Sequence, residues 1–409
     1  MVIERGEGTD LIDVEGGRYI DGVSSLWCNV HGHRHPVIDR AVADQLERVA
    51  HSTMLGLTHP GAAELAARLA EITPPGLERS FYSESGSTAV EIALKIAFQY
   101  WRQRGRERSS FVTLSGAYHG DTIGSVSIGG IDLFHGAYGP LLFKAYRVDP
   151  GDERRLERVL DLHAREIAAV IVEPLVQGAS GIVPQPPGFL RLARELTEAH
   201  DVFLIADEVA TGFGRTGTMF ACEQERVAPD LLCLGKGLTG GYLPLAATIT
   251  TERVYEGFLG PAEDYRTFFH GHTFTGNPLG CAAALANLEV FERERTLVRL
   301  QPKIRLLGEL LAAVAELPGV AEVRGRGFMV GIDLGDHDPA LRLGHRVTLE
   351  ARRRGAIVRP LGDTVVLMPP LAIAKADLRR LVGIVAEAIP AAYDSAYGAE
   401  PAAELRAAA

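Results

Sequence analysis

Cysteine is scarce in this sequence, and the few thiols present form no motif. The four cysteines are spread over the chain without a CxxC pair, at Cys28, Cys222, Cys233 and Cys281. Such spacing argues against a disulfide framework and against a zinc ribbon. It is typical of proteins in the reducing cytoplasm, so we expect a cytoplasmic location and small, buried thiols.

Long apolar runs and an excess of positive charge are also missing. No stretch of about 18 apolar residues occurs, so we expect no membrane-spanning helix. The N-terminus, MVIERGEGTD, is polar and acidic and does not resemble a secretory signal. With 42 Lys and Arg against 52 Asp and Glu, the formal net charge is −10, which argues against broad binding to nucleic acid or to an anionic membrane.

The sequence does contain a regular alternation of strand-like and helix-like segments. Amphipathic stretches such as TAVEIALKIAFQYWRQ lie between short β-rich runs, among them SFYSE, SSFVTLS, AAVIVEP, VFLIADE and LLCLGK. This alternation predicts an α/β fold with a large, mainly parallel sheet that is covered on both faces.

The two ends of the chain have a different character. LIDVEGGRYIDGVS has two alternating runs around Gly16-Gly17, which predicts a hairpin. Near residue 295 the pattern changes to helices separated by the strand-like runs VAEVRGRGFMVGIDL and AIVRPLGDTVVLMPP. We predict that residues 1–24 and 296–409 form a smaller α+β domain, with a large domain, residues 25–295, inserted between them.

The stretch SSLWCNVHGHRHP raises the possibility of a metal site. His31, His33 and His35 alternate there, and Cys28 stands just before them. Imidazoles at a turn more often hydrogen-bond to the backbone or to a neighbouring subunit. We therefore predict no metal, with a metal-dependent enzyme as the alternative that metal analysis would decide.

Three apolar runs each end in residues that can do chemistry. VFLIADE ends in Asp207 and Glu208, AAVIVEPLVQG carries Glu173 and Gln177, and LLCLGKG carries Lys236. Because ligands of open parallel sheets bind at the carboxyl ends of the strands, we expect these residues at one crevice. A lysine and a carboxylate there form either a structural ion pair or a site for pyridoxal phosphate, whose aldehyde bonds to the lysine and whose pyridine nitrogen pairs with the carboxylate.

Two further motifs favour the cofactor. SESGSTAVEIALK places the small residues Ser85 to Thr88 before an apolar periodicity, so a helix N-terminus would face a phosphate, although plain N-capping gives the same pattern. GAYHGDT places Tyr118 and His119 on a turn after the strand FVTLS, where an aromatic ring can cover the cofactor. GFGRTG, in contrast, lacks the strand-to-helix context of a dinucleotide-binding fingerprint.

The run LIADEVATGFGRTGTMFACEQERVAPDLLCLGKGLTGGYLPLAATITTE resembles the class III (ω-amino) aminotransferases, which have fold type I of the pyridoxal phosphate-dependent transferases. Several stretches are similar to one branch of that family, the synthases of 7,8-diaminononanoate in biotin biosynthesis: SSLWCNVHGHRHP, SGSTAVEIALKIAFQYW, AYHGDTIGSVSIG, FFHGHTFTGNPLGCAAALANL and IVRPLGDTVVLMPP. The resemblance implies transfer of an amino group to 8-amino-7-oxononanoate by a ping-pong mechanism through pyridoxamine phosphate. It also implies a homodimer with shared active sites.

Individual roles follow from the resemblance. Lys236 would bond to the cofactor and carry the proton, and Asp207 would pair with the pyridine nitrogen. Tyr118 would stack on the ring and face the substrate. Gly86 and Ser87 would hold the phosphate.

Other roles that the resemblance implies concern the neighbouring subunit and the substrate. His272 and Thr273 would reach the neighbour's phosphate, and Gly271 would contact the substrate. Arg359 would pair with the substrate carboxylate, because a planar guanidinium binds a carboxylate through two hydrogen bonds. An ordinary surface arginine is the alternative for this residue.

The amino donor stays open between L-lysine and S-adenosylmethionine. Family members that use S-adenosylmethionine have two adjacent tryptophans after Ser-Ser, whereas this chain has Leu26-Trp27, which is similar to the lysine-using Bacillus type and favours lysine. Both residues are expected to line the substrate pocket. Another ω-amino acid or diamine aminotransferase, or a pyridoxal phosphate-binding protein without turnover, is the alternative. The sequence shows no HPFT-like N-terminal motif of the family, so we expect either a missed start or a site that closes differently.

Overall fold

The structure, a computed structural model, describes residues 1–398; the last part of the predicted C-terminal segment, residues 399–409, lies outside them. The strands are β1 (Ile3–Glu7), β2 (Asp10–Asp13), β3 (Arg18–Asp21), β4 (Leu77–Ser83), β5 (Ser110–Leu114), β6 (Ala145–Val148), β7 (Ile167–Val172), β8 (Val176–Gln177), β9 (Val183–Pro184), β10 (Phe203–Asp207), β11 (Leu231–Leu234), β12 (Ala246–Thr251), β13 (Glu322–Arg326), β14 (Met329–Asp333), β15 (Ala356–Ile357), β16 (Arg359–Leu361) and β17 (Thr364–Leu367). The helices are α1 (Ser24–Trp27), α2 (Pro36–Leu46), α3 (Pro60–Ile72), α4 (Gly86–Gln103), α5 (Ile123–Ser127), α6 (Asp132–His135), α7 (Glu153–His163), α8 (Phe189–Ala199), α9 (Glu252–Glu256), α10 (Pro278–Arg293), α11 (Thr296–Ala315), α12 (Leu343–Arg353) and α13 (Lys375–Tyr397).

The centre of the fold is a seven-stranded sheet in the order β4-β12-β11-β10-β7-β5-β6. The neighbours from β11 to β6 pair in parallel. Strand β12 runs antiparallel to both β11 and β4. The sheet is therefore mainly parallel, as the alternation in the sequence predicts.

Helix α4 shows why this part of the sequence folds as it does. Its apolar residues recur at three- and four-residue spacing, and Val90, Leu94, Ala97 and Trp101 are all buried. The indole N–H of Trp101 donates to the carbonyl of Ala168 in β7 at 2.9 Å, which fixes the helix on the sheet. Among the described residues, no helix is long and apolar enough to cross a membrane.

Residues from the two chain ends share a sheet. The predicted hairpin at the N-terminus is confirmed, with β2 antiparallel to β3. Strand β15, from the C-terminal part, pairs in parallel with β3, with Ala356 opposite Ile20. This pairing agrees with a small domain built from both ends, while its boundaries at residues 24 and 295 stay a prediction.

Two of the predicted strands near the C-terminus are in fact hairpins. The run VAEVRGRGFMVGIDL forms β13 and β14, which turn at Gly327 (φ +62°). The run AIVRPLGDTVVLMPP forms β15, β16 and β17, with the turn between the last two at Gly362 (φ +58°). Both glycines adopt the left-handed conformation that a tight turn requires, so the prediction of single strands was wrong.

Candidate active site

Three neighbouring strands of the central sheet carry the predicted chemical groups to one edge. Lys236 follows β11, Asp207 ends β10, and Glu173 follows β7, and these strands are adjacent in the sheet. All three side chains line a single cavity, together with Gly86 at the start of α4. The structure thus brings together residues that lie far apart in the sequence, at the edge where an α/β sheet binds its ligand.

Lys236 begins a short 3-10 turn, Lys236–Thr239, and has a left-handed backbone (φ +42°). Its ammonium nitrogen lies 4.9 Å from the centroid of the Trp27 ring. Burial lowers the pKa of Lys236, and the carboxylates of Asp207 and Glu173 act in the opposite direction. Because a lysine that gives up its proton more readily is a better nucleophile, Lys236 is suited to attack a carbonyl group.

The Asp207 carboxylate is buried and fixed at both oxygens. Oδ2 accepts a hydrogen bond from Nδ1 of His119 at 2.7 Å, and Oδ1 accepts from the backbone N–H of Val209 at 3.1 Å. The side chain is only 6% exposed. Such a carboxylate can stabilise a protonated ring nitrogen, because its position is set before any ligand binds.

Glu173, whose role the sequence left open, supports the turn that carries Tyr118. Its Oε1 accepts from the backbone N–H of Tyr118 at 3.1 Å, and its Oε2 accepts from that of Gly178 at 2.8 Å. Burial raises the pKa of Glu173 to about 7, although the charge of His119 and these two N–H groups act against the rise. Gln177, the other open residue, instead donates to the carbonyl of Ser115 at 3.0 Å.

The N-terminus of α4 has the predicted capping, while anion binding at this helix end stays a prediction. Ser85 is the N-cap and accepts from the backbone N–H of Thr88 at 3.3 Å, and the Thr88 hydroxyl accepts in return from Ser85. The first amides of the helix remain available to an anion. A Cβ atom at Gly86 would lie 2.5 Å from Val209, so the close approach of these two segments requires glycine.

These groups match the chemical parts of pyridoxal phosphate one by one. The helix N-terminus at Gly86 and Ser87 suits the phosphate, the Asp207 carboxylate suits the pyridine nitrogen, and Lys236 suits the aldehyde. The residues present therefore fit this cofactor.

Residues 1–389 match the family model of the class III aminotransferases. The chain belongs to this family. The enzyme from Nitratidesulfovibrio vulgaris named adenosylmethionine-8-amino-7-oxononanoate aminotransferase is 58% identical, over 98% of this chain and 78% of its own length.

Solved structures of other transaminases share the fold. The crystal structure of adenosylmethionine-8-amino-7-oxononanoate aminotransferase from Methanocaldococcus jannaschii is 44% identical, with a TM-score of 0.94, over 95% of this chain and 92% of that one. A PLP-bound amine transaminase from an uncultivated Pseudomonas species is 36% identical, with a TM-score of 0.89, over 97% and 95% of the two chains. These likenesses confirm the predicted fold type I.

In this class III aminotransferase, Tyr118 is held from both ends. Its backbone N–H is bound by Glu173, and its hydroxyl donates to the carboxylate of Asp121 at 2.8 Å. Burial raises the pKa of Tyr118, and the neighbouring Asp121 adds to the rise. Tyr118 therefore stays protonated, with its ring fixed at the cavity wall.

Leu26 and Trp27 have different positions, although they are adjacent in the sequence. Trp27 is 6% exposed and lines the cavity, whereas Leu26 is 49% exposed and is not part of the cavity wall. The backbone kinks at this point, with positive φ at Ser24, Ser25 and Trp27. Because of the kink, Leu26 faces away from the cavity around Lys236, and its predicted place in the substrate pocket stays a prediction.

The remaining predicted site residues lie outside the cavity. Arg359 is exposed at the start of β16, close enough for its positive charge to act on the Tyr118 hydroxyl. His272 and Gly271 line a separate depression of about 310 Å³, and Thr273 beside them is exposed. Within one chain, these three are not assembled with Lys236.

The histidines of SSLWCNVHGHRHP have structural partners. His33 contacts the buried Asp21 carboxylate at 3.0 Å, and His35 contacts Glu294 at 3.0 Å. His31 is buried, which lowers its pKa to about 4. Within residues 1–398, no three His, Cys, Asp or Glu side chains are grouped so that they could hold a metal ion.

Sequence reasoning missed the role of Arg215, in the middle of GFGRTG. Its guanidinium is fully buried and donates to the carbonyl oxygens of Asn29 and Pro369, each at 2.6 Å. Burial lowers the pKa of Arg215 to about 10. It joins the loop after β10 to the stretch that carries Trp27 and to the chain after β17, and no sequence pattern distinguishes such an arginine from a surface one.

Proposed function

We propose that this protein is the cytoplasmic, pyridoxal phosphate-dependent aminotransferase that converts 8-amino-7-oxononanoate to 7,8-diaminononanoate in biotin biosynthesis. The observation that carries the proposal is the single cavity in which Lys236, Asp207 and the N-terminus of α4 converge. The substrate is inferred from the name of the relative that is 58% identical over 98% of this chain.

Each group of the cavity has a task in binding the cofactor. When bound, pyridoxal phosphate supplies an electron sink that allows a proton to leave the amino-bearing carbon. The amides and hydroxyl at Gly86 and Ser87 hold the phosphate, and Asp207 holds the ring nitrogen. Tyr118 and Val209, both in the cavity wall, position the ring.

Lys236 is the proton carrier of the reaction. Its pKa is lowered by burial, so its Nζ can accept a proton and return it to a neighbouring atom. Trp27 covers one side of the ammonium nitrogen and excludes water from it. The chain thus restricts proton transfer to one group at a defined position.

Arg359 is the carboxylate-binding residue of the acceptor substrate. It is exposed at the start of β16. Its charge reaches the Tyr118 hydroxyl, so it stands at the rim of the cavity. A guanidinium in this position binds the carboxylate of a substrate whose ketone lies near Lys236.

We propose S-adenosylmethionine as the amino donor, although the sequence pattern favours lysine. The argument for lysine rested on the pair Leu26-Trp27, of which Trp27 lines the cavity around Lys236 and Leu26 is not part of its wall. The relatives described above are named for adenosylmethionine.

We propose further that the protein is a homodimer with shared sites. Three large apolar side chains, Leu55, Phe269 and Phe274, are 74%, 72% and 56% exposed around the depression that contains Gly271 and His272. Exposed apolar patches of this kind are typical of interfaces. In the dimer, His272 and Thr273 would reach the phosphate of the second copy, and sedimentation would show one species of twice the chain mass.

The decisive experiment is a half-reaction. Purified protein is mixed with S-adenosylmethionine or with lysine, and the absorption spectrum shows which donor converts the cofactor to its amine form. The matched variant Lys236→Ala should bind the cofactor without a covalent bond that borohydride can reduce, and should not transaminate. Turnover by Lys236→Ala would disprove the proposed function, and conversion by lysine alone would disprove the proposed donor.

A further inference from the structure

The segment from Phe268 to Thr275, here called the histidine segment, has no regular structure but is attached to the rest of the chain by a continuous row of polar contacts. His270 Nδ1 lies 2.8 Å from the ammonium nitrogen of Lys95 on α4. His270 Nε2 lies 2.9 Å from Nε2 of His272, and His272 Nδ1 lies 2.5 Å from the carboxylate of Glu84.

The chemistry of the two ends determines every proton in this row. A lysine ammonium can only donate, so Nδ1 of His270 accepts and the ring's proton is on Nε2. That Nε2–H donates to His272, whose own proton is therefore on Nδ1 and is donated to Glu84. The row Lys95–His270–His272–Glu84 thus consists of three hydrogen bonds in one direction, through two imidazoles with one proton each.

We propose that His270 is a positioning residue, and that this row holds the histidine segment in place until His270 takes up a second proton. With two protons on this ring, its Nδ1–H faces the ammonium of Lys95, so the contact joins two donors. The row then breaks at Lys95. In one respect this inference rests on the proposed function, namely that the segment reaches a phosphate held by a second copy.

The surroundings of His270 determine when the row breaks. Lys95 and Glu91 face it from α4, Glu84 from the residue that precedes the N-cap, and His272 from its own segment. Burial lowers the pKa of His270, Lys95 and His272 lower it further, and the two glutamates oppose them. The lowered pKa of His270 favours the singly protonated ring that the row requires. The stabilisation that His270 contributes is present above the ordinary histidine value of about 6.5 and is lost as the pH falls from that value through the lowered pKa of His270.

The position of Glu84 connects the row to the cofactor site. Glu84 directly precedes Ser85, the N-cap of α4, and therefore lies next to Gly86 and Ser87. The other end of the segment is also tied down, because the backbone N–H of His272 donates to Thr275, whose hydroxyl donates to the carbonyl of Tyr82. Breaking the row frees Gly271 and Thr273, which the proposed function places at the second copy's phosphate.

The test replaces His270 by phenylalanine. This change keeps a ring of the same shape against Phe268, whose ring is parallel to His270 at 5.5 Å. The control is His200→Phe, which removes an imidazole bound to Asp161 on another helix. Two quantities are measured at about pH 8 and about pH 5.5: the dissociation constant of pyridoxal phosphate, and the hydrogen-exchange protection of residues 268–275, corrected for intrinsic rates.

At the lower pH, the wild type and the control should each lose about tenfold in affinity for pyridoxal phosphate and in protection of residues 268–275. His270→Phe should have low affinity and low protection at both pH values, with no dependence on pH. Lys95→Met should largely remove the loss at the lower pH, because no donor then faces Nδ1 of His270 and a second proton on this ring breaks no contact of the row. Equal protection and equal pH dependence in His270→Phe and wild type would overturn the inference. If no variant binds pyridoxal phosphate, the proposed function fails, while hydrogen exchange still decides whether the row positions the segment.

Discussion

His119 provides the sharpest test of how the protein prepares its cavity. Its Nδ1–H donates to the Asp207 carboxylate at 2.7 Å, and its Nε2 has no hydrogen-bond partner among the described residues. This hydrogen bond fixes one oxygen of the buried Asp207 carboxylate. His119 therefore orients the group that would pair with the ring nitrogen of the cofactor.

The size of the effect follows from this geometry. A hydrogen bond to a buried charged group contributes about 2 kcal/mol, which corresponds to about 30-fold in affinity. We therefore expect His119→Leu to bind pyridoxal phosphate about 30-fold more weakly than wild type. His119→Asn should bind within a few fold of wild type, because its amide nitrogen takes the place of Nδ1.

The assay is a fluorescence titration of the cofactor-free protein with pyridoxal phosphate, repeated for both variants in the Asp207→Asn background. In that background the two His119 variants should bind pyridoxal phosphate with similar affinity. The Asp207 carboxylate, to which the asparagine variant can donate a hydrogen bond and the leucine variant cannot, is then absent. The reasoning is refuted if His119→Leu binds as tightly as wild type, or if His119→Asn is as weak as His119→Leu.

Three further outcomes are expected. Arg359→Ala should slow the acceptor half-reaction about 30-fold through the substrate KM and leave the donor half-reaction nearly unchanged; equal losses in both would count against its role. Burial raises the pKa of Glu173 to about 7 from 4.5, so the folded state binds this proton more tightly than the unfolded chain. As the pH rises from 4.5 to about 7, the free energy of unfolding of the wild type should fall by about 3 kcal/mol more than that of Glu173→Gln. Urea denaturation that gives the same pH dependence of this free energy for both proteins would contradict the prediction. Arg215→Met should lower the free energy of unfolding by about 3 kcal/mol, because it leaves buried carbonyls without donors, whereas the exposed Arg305→Met should change it by less than about 0.5 kcal/mol.

The positions at the strand ends could be predicted from the sequence because a local rule decides them. Asp207 and Lys236 each follow a short apolar run, and parallel strands in such a sheet end at the same edge. The apolar face of α4 could likewise be read from its spacing, because the period of a helix determines which residues are buried.

Contacts between distant segments could not be predicted in this way. His119 meets Asp207, 88 positions later in the chain, and Arg215 meets Pro369, 154 positions later. Neither contact corresponds to a periodic pattern of residues in the sequence. The orientation of Leu26 depends on a kinked backbone, which adjacent residue types do not reveal. Sequence therefore indicated which groups take part, and the tertiary structure was needed to show which of them touch.

The kinked stretch beside Lys236 depends on the far end of the chain. The Ser24 hydroxyl donates at 2.6 Å to the carbonyl of Met368, 344 positions later, and the buried Arg215 donates to the next carbonyl along. During synthesis on the ribosome, the strands that carry Asp207 and Lys236 are complete long before these carbonyls emerge. The anchoring of Trp27 beside Lys236 therefore has to wait until residues 368 and 369 have been made. A product truncated before Met368 would contain Lys236 without these two hydrogen bonds, so the fold delays closure of this cavity wall until well after its strands are complete.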